Sequence, residues 1–409
     1  MLKKIQWLKV LLWATLLNEL IYAVYVITNN VSFSSIYYYS CTLTMILELF
    51  YIFVNAFYFK YIKKRFTTIL SICVFIFLFI QLYSSYINGV FNISVVSRIC
   101  IWPLLFFCFY LGSKIDKELK YYKNTIIFSY VALVLISIPA IILHLSGYGR
   151  IGTLIFTTYP VLTCTPLLVM VLEKKYRYKI LVFTIFYMIL TTKRTAVIAA
   201  ILGLIIYYLV EAVEQNNLKK KVYKLIKFFL WCLFAFLVVC VINYFFDLKI
   251  IERFADLASD GGSGRDGIWE SVLNAYDSNT TIQQLIGRGY EGVSRIVRPQ
   301  HRAIGAHNDF IEIIYDFGKI GLFSIIMFYI TLIIIGIGMI RLKYNRAPLF
   351  SLVIVEMIIL SMFSYLLIQS YIIQNLIIYI GLELRYYYSW RRNKYGSLST
   401  KSINTSSNL

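Results

Sequence analysis

Charge is scarce in this chain. Asp, Glu, Lys and Arg make up 15% of its 409 residues, against about 25% in soluble domains. Hydrophobic residues make up 60%, where about 45–50% is usual, and the mean hydropathy is +0.73. A soluble globular domain is excluded, and an all-α polytopic membrane protein is implied. Acid is scarcest of all: 20 Asp and Glu stand against 40 Lys and Arg, a formal net charge of +20. In a soluble protein that balance would suggest nucleic acid. Here the cations sit in short clusters between apolar runs, so they signal topology and no nucleic-acid partner is expected. The seven cysteines (Cys41, Cys73, Cys100, Cys108, Cys164, Cys232 and Cys240) all lie in apolar runs, with no zinc spacing and no disulfide framework. Internal repeats are lacking. Glu19, Glu48 and Glu356 lie within apolar runs but form no regular acidic relay, which disfavours a proton-coupled transporter.

What is present is a series of apolar runs long enough to cross a membrane, for which ~20 residues suffice. About twelve are found, near 5–28, 36–59, 66–87, 92–112, 122–145, 153–172, 178–192, 195–212, 224–246, 321–340, 347–369 and 371–388. The pair around 193 is short and the last two are barely separated, so 10–12 spans are compatible with the sequence. The first run has no small-residue cleavage site after it and reads as a retained span. With Lys3 and Lys4 inside, the alternate loops 60–65, 114–123, 173–179, 218–224 and 341–346 and the stretch 390–396 are all rich in Lys or Arg. The positive-inside rule then places both termini in the cytoplasm. The chain divides into an N-terminal bundle of about nine helices (1–246), one large extracytoplasmic loop with short helices (247–320), C-terminal membrane helices (321–390) and a polar tail (391–409). The tail's composition reads as disordered. Pro160 and Pro166 fall in one span and are expected to kink or break it.

The informative residues are those that break the charge rule. Lys193 and Arg194 lie at a turn on the outer side, where topology calls for no cations. They read either as a snorkelling pair or, as we favour, as anion ligands. Arg98 lies one or two turns inside its span, which makes it either functional or a snorkelling residue. In the loop, Asp266 is the expected N-cap of a helix carrying Ile268, Val272 and Ala275. Arg265 and the preceding glycines would offer charge and free N–H groups to an anion there. No Gly-Lys-Ser/Thr follows, so this is not a P-loop. Arg288, Arg295, Arg298 and Arg302 cluster with His301, and guanidinium forks suit phosphate oxygens. A solvated charge run is the plainer alternative. His307 starts an amphipathic stretch in which Asp309, Glu312 and Asp316 fall on the opposite side, away from it. An imidazole with an ordinary pKa of about 6.5 can accept a proton from a sugar hydroxyl.

The motifs T-T-K-R-T (191–195), R-D-G-I-W (265–269), I-G-R-G-Y (286–290) and H-N-D-F-I-E-I-I-Y-D-F-G-K-I-G (307–321), set among many spans, resemble the O-antigen ligase and polymerase superfamily. The resemblance covers residues from about 185 to 321, and most of the chain in topology. It implies glycosyl transfer on the outer face of the bacterial plasma membrane, from a glycan carried on undecaprenyl diphosphate. The implied fold is a GT-C-like membrane glycosyltransferase with no nucleotide sugar, no metal and no cofactor. Arg194, Arg265 and His307 match the family's basic and histidine positions, and Lys193 stands where serine is more usual. On this reading His307 and Arg265 are catalytic, while Lys193, Arg194, Arg288 and Arg98 bind the diphosphate. Arg295, Arg298, His301 and Asn308 contact the acceptor. The expected partners are undecaprenyl-diphosphate-linked oligosaccharides, membrane lipids, a chain-length regulator and a repeat-unit flippase. A repeat-unit polymerase is the reading favoured. A ligase moving finished glycan to lipid A-core or protein, and a flippase of the same lipid-linked glycan, are the alternatives.

Overall fold

Lipid offers the backbone no hydrogen bonds, so apolar runs of this length must satisfy their own and fold as helices. The computed structural model describes residues 7–28, 31–55, 65–112, 115–145, 151–191, 193–213, 265–301 and 305–405, with scattered positions between 219 and 244. Among these residues there are helices and turns and no strand. The helices are α1 (Trp7–Thr28), α2 (Val31–Asn55), α3 (Arg65–Ile87), α4 (Ile93–Gly112), α5 (Ile115–Leu145), α6 (Ile151–Val171), α7 (Lys174–Leu190), α8 (Arg194–Val213), α9 (Arg265–Asp277), α10 (Thr281–Ile286), α11 (Gly292–His301), α12 (Asp309–Arg341), α13 (Ala347–Phe363) and α14 (Ser370–Thr405).

Seven of them are long and apolar enough to cross a membrane, and Thr158–Val171 and Ala347–Phe363 are shorter apolar helices. Of the run expected at 224–246 only scattered positions between 226 and 244 are described, and these are helical. Helix α14 is not among the seven because its apolar run is broken by Gln374, Asn375, Glu383 and Arg385. Nearly every side chain from 370 to 388 is nonetheless buried, because α14 packs between α4, α6 and α1 and not against lipid. Its polar groups find protein partners there. Asn375 Nδ2 donates to Glu19 Oε1 at 2.5 Å and Gln374 Nε2 to the Thr15 carbonyl at 3.4 Å. Glu383 pairs with Arg346 at 3.2 Å. Helix α14 also runs on to Thr405, through most of the stretch that composition reads as a disordered tail. A helix already nucleated by a packed segment adds one bond for each further residue it fixes.

Helix α6 continues unbroken past both prolines. The Thr163 and Thr165 hydroxyls donate to the carbonyls of Pro160 and Val161, at 3.3 and 2.9 Å, which helps satisfy the backbone around the prolines. The described cysteines are free, and all but the half-buried Cys240 are buried, consistent with small hydrophobes.

The polar loop has a small core of its own. Ile268, Val272 and Tyr276 of α9, Val293 and Val297 of α11, and Ala306 and Tyr315 pack together. Helix α9 starts at Arg265, so Asp266 lies in its first turn and is not its N-cap. The glycine-rich stretch before it, 261–264, lies outside the described residues.

Helix α12 bends where Gly318 adopts φ 67°, ψ −169°. The bend frees the carbonyls of Tyr315 and Asp316. The backbone N–H groups of Arg288 and Gly289 donate to them at 3.0 and 2.8 Å, and the Ser84 hydroxyl of α3 donates to Asp316 O at 3.0 Å. The I-G-R-G-Y turn is thus docked on the bend and on α3 together.

Candidate active site

Breaks between helices place charged side chains where a continuous helix would not. The turn before α8 supplies Lys193 and Arg194, the start of α9 supplies Arg265, and the turn before α12 supplies His307. A fourth break, residues 364–369 between α13 and α14, ties them together. Arg265 Nη1 donates to the Phe363 carbonyl at 2.9 Å. The Thr195 hydroxyl, in the first turn of α8, donates to the same carbonyl at 3.3 Å. The Lys193 ammonium stands 5.7 Å from the centre of the Tyr159 ring of α6. The His307 imidazole packs on the Tyr365 ring, with centroids 4.4 Å apart and planes inclined at 38°.

Burial dominates the electrostatics of this cluster. It pulls the His307 imidazole down from its ordinary value to about 3, and the charges of Arg265 and Lys193 push the same way. It lowers Lys193 to about 8, with the Arg265 charge adding to the effect. Arg265 is itself lowered by burial, a shift that Tyr159 and Tyr365 oppose and Arg194 reinforces. At neutral pH the imidazole is therefore uncharged and sits beside mutually repelling cations. Among the described residues no carboxylate pairs with Lys193, Arg194 or Arg265. The Arg194 Nη1 atom is buried without a hydrogen-bond partner. So is the Tyr159 hydroxyl, although Ser364 and Thr195 lie close to it. Buried positive charge without a counter-charge is costly. The arrangement therefore suits an anion carrying more than one negative charge, with a neutral base beside it.

The His307 turn is tightly held. His307 itself has φ 54°, in the left-handed region. Ala306 is fully buried. Its N–H donates to Glu312 Oε1 at 2.6 Å and its carbonyl accepts from Trp269 Nε1 at 2.7 Å. Asn308 is the N-cap of α12, accepting from the N–H groups of Phe310 and Ile311. Its side chain is thus engaged in the cap, and His307 precedes the helix instead of riding on it.

The acidic residues expected to stand apart are buried anchors. Asp309 Oδ2 accepts from Leu366 N at 3.0 Å and Leu367 N at 2.9 Å. Asp316 Oδ1 accepts from Val293 N at 2.8 Å, and Glu312 reaches the His307 turn itself. The helical wheel fails here because these carboxylates bind backbone N–H groups of neighbouring breaks and do not face solvent.

The remaining candidate residues are not drawn into the cluster. Arg98 pairs with Glu291 at 2.7 Å and lies over the Tyr38 and Tyr290 rings, at 5.2 and 4.8 Å. Arg288 donates to Asn279 Oδ1 at 2.7 Å. Arg295 donates to the carbonyls of Tyr290 and Arg288 at 3.1 and 2.7 Å. These guanidinium groups brace the loop. Arg298 is exposed on α11. His301 is the last residue of α11, its side chain lies outside the described part of the structure, and Arg302 is likewise outside it. The sequence reading missed Tyr159, Tyr365 and the 364–369 break. The only signal for the break was the poor separation of the last two apolar runs. No three His, Cys, Asp or Glu side chains among the described residues are grouped to hold a metal.

Residues 180–326 match the family model Wzy_C, described as O-antigen ligase. This part of the chain is thus similar to the O-antigen ligase family over just over a third of the chain's length. The match contains Lys193, Arg194, Arg265 and His307, while Tyr159 and Tyr365 lie outside it. None of the curated proteins matches the chain.

Proposed function

We propose that this multi-pass membrane protein is an oligosaccharide repeat-unit polymerase. In this reading it moves a growing glycan from undecaprenyl diphosphate to a second lipid-linked repeat unit at the outer face of the bacterial plasma membrane. The chain makes about twelve crossings in a GT-C-like arrangement, with both termini cytoplasmic and the 247–320 loop outside. The observation that carries the reading is the convergence of Lys193, Arg194 and Arg265, paired with no carboxylate among the described residues, beside a neutral His307.

The chemistry follows from those groups. Transfer breaks the bond between the donor sugar's anomeric carbon and a diphosphate oxygen, so negative charge grows on the leaving diphosphate. Arg194, Arg265 and Lys193 stabilise that charge in a water-poor site. His307, uncharged before the reaction, takes the proton of the attacking acceptor hydroxyl as the new glycosidic bond forms. Diphosphate bound to the nearby cations would offset their charge on the imidazole and make it a better base. Arg98, Arg288 and Arg295 already have partners and in this reading keep the loop in place.

Single alanine substitutions at Arg194, Arg265 and His307, in cells making the surface glycan, test the proposal. A polymerase loses long chains and leaves single repeats on the surface carrier. Accumulation of finished polymer on the lipid carrier would instead support the second reading, a ligase, which the description of the matched family favours. Wild-type glycan in all three variants would sink both.

A further inference from the structure

We infer that Trp269 and Glu312 are positioning residues for His307, acting on it through the two peptide groups of Ala306. The inference rests on the reading of His307 as the proton acceptor and asks what keeps it in place. A left-handed backbone at a residue with a side chain is unfavourable and persists only where its surroundings fix it. His307 adopts that conformation, and its neighbour supplies the fixing points. Ala306 is fully buried, so its N–H and carbonyl must find partners in the protein. Glu312 Oε1 takes the N–H at 2.6 Å and the Trp269 indole takes the carbonyl at 2.7 Å. On the far side Asn308 is held as the cap of α12. The chain is thus held immediately before and after His307, while the Tyr365 ring supports the imidazole.

Gly305 belongs to the same device. A Cβ there would stand 2.1 Å from Glu312 Oε1, so only glycine leaves the carboxylate room to reach Ala306 N. The placement of Trp269 matters too. It follows Arg265 by one helical turn on α9. One rigid helix therefore carries a cation of the anion site and the tether of the base, and fixes the distance between them. Such support from neighbouring groups is what holds a reacting group in its working geometry.

The test uses the full-length protein in nanodiscs and, as donor and acceptor, the lipid-linked oligosaccharide extracted from producing cells that lack the protein. Trp269→Phe keeps the ring and removes the donor, and Glu312→Ala removes the acceptor. Each is expected to lower kcat roughly 10- to 100-fold, the scale of a small misplacement of a reacting group. KM should change by no more than about twofold, since ground-state binding is untouched. Glu312→Gln keeps an oxygen to accept from Ala306 N and should restore most of the rate. Trp269→Phe should cost nothing further in a His307→Ala background, because the residue it positions is gone. An equal loss in both backgrounds would overturn the inference, as would wild-type kcat in Trp269→Phe and Glu312→Ala. Gly305→Ala, which leaves both tethering residues in the chain, should reproduce the kcat loss if Trp269→Phe fails to fold, and wild-type kcat there would count against the inference. If His307→Ala alone retains the wild-type rate, the base assignment itself falls. If His307→Ala is inactive while both tether variants work normally, only the positioning role falls.

Discussion

The Arg265 guanidinium and the Phe363 carbonyl, 98 residues apart in the chain, meet at 2.9 Å. The contact joins the first turn of the loop's first described helix to the last residue of α13, beside the break that precedes α14. A guanidinium has five N–H donors in a planar fork, so it can spend one on Phe363 and still offer others to an anion. Lysine has a single ammonium and no such fork. Arg265→Lys is therefore expected to lose about 10- to 1,000-fold in transfer rate, the range seen when one donor to a developing oxyanion is removed. Glycan transfer by the purified variant measures this, and a loss under threefold would count against Arg265 as a direct anion ligand.

Two titrations follow from the cluster. His307 is held down to about 3 by burial and by the charges of Arg265 and Lys193, so it stays uncharged far below its ordinary value. The sign is that of a depressed base: protonation, and with it loss of function, comes only at low pH. The kcat/KM of the enzyme should therefore stay flat from pH 7 down to about 5, since that ratio reports the free enzyme. The acid limb of kcat should lie at higher pH, because bound diphosphate offsets the cations that depress the imidazole. A kcat/KM limb at the ordinary histidine value would contradict the arrangement.

Lys193, lowered to about 8, gives the opposite limb. Its charge is present below that pH and lost above it, so donor KM should rise between pH 7 and pH 9 and binding should take up a proton. Lys193→Arg keeps its charge throughout and should abolish that rise. Donor binding across the pH range, in both forms, makes the comparison.

Gly287 and Gly318 interlock. A Cβ on Gly318 would stand 2.3 Å from the Leu285 carbonyl carbon, and one on Gly287 would stand 2.2 Å from the Asp316 carbonyl oxygen. Both also have positive φ. The obstruction is backbone, so no side chain can yield. Gly287→Ala and Gly318→Ala should each destabilise the protein by more than about 2 kcal/mol, from backbone strain and the lost contacts of the docked turn. Thermal unfolding in detergent reads this out, and near-native stability in either variant would show that the bend is not fixed by the contact.

Asp309 is expected to matter through the 364–369 break. Replacing it with Ala leaves the buried N–H groups of Leu366 and Leu367 unsatisfied, at about 1–3 kcal/mol each. Asn keeps one acceptor oxygen and should cost less. The order of melting temperatures, wild type above Asp309→Asn above Asp309→Ala, is the measurement. Equal values for the two variants would mean that the carboxylate does not hold the break.

The sequence was legible where the signal was local. Hydropathy marks α1 to α4, α8 and α12, and the cations singled out by the charge pattern, Lys193 and Arg194, do lie near Arg265. It was misleading where a residue's partner lies far along the chain. Arg98 looks like a free intramembrane cation, yet it is paired with Glu291, 193 residues away. Asp309, Glu312 and Asp316 look like the wet face of an amphipathic helix, yet each accepts hydrogen bonds from a neighbouring turn. Tyr159 and Tyr365 carry no sequence signal at all, since tyrosines are abundant throughout this chain.

The sequence by itself determined that the chain is helical and that it belongs in a membrane, because burial in lipid constrains composition residue by residue. Only the tertiary structure decided which of the described cations meet a described carboxylate. That property depends on whether a carboxylate or a carbonyl from a distant helix arrives within hydrogen-bond reach. Packing brings Glu291 to Arg98, and among the described residues it brings no acid to Lys193, Arg194 or Arg265.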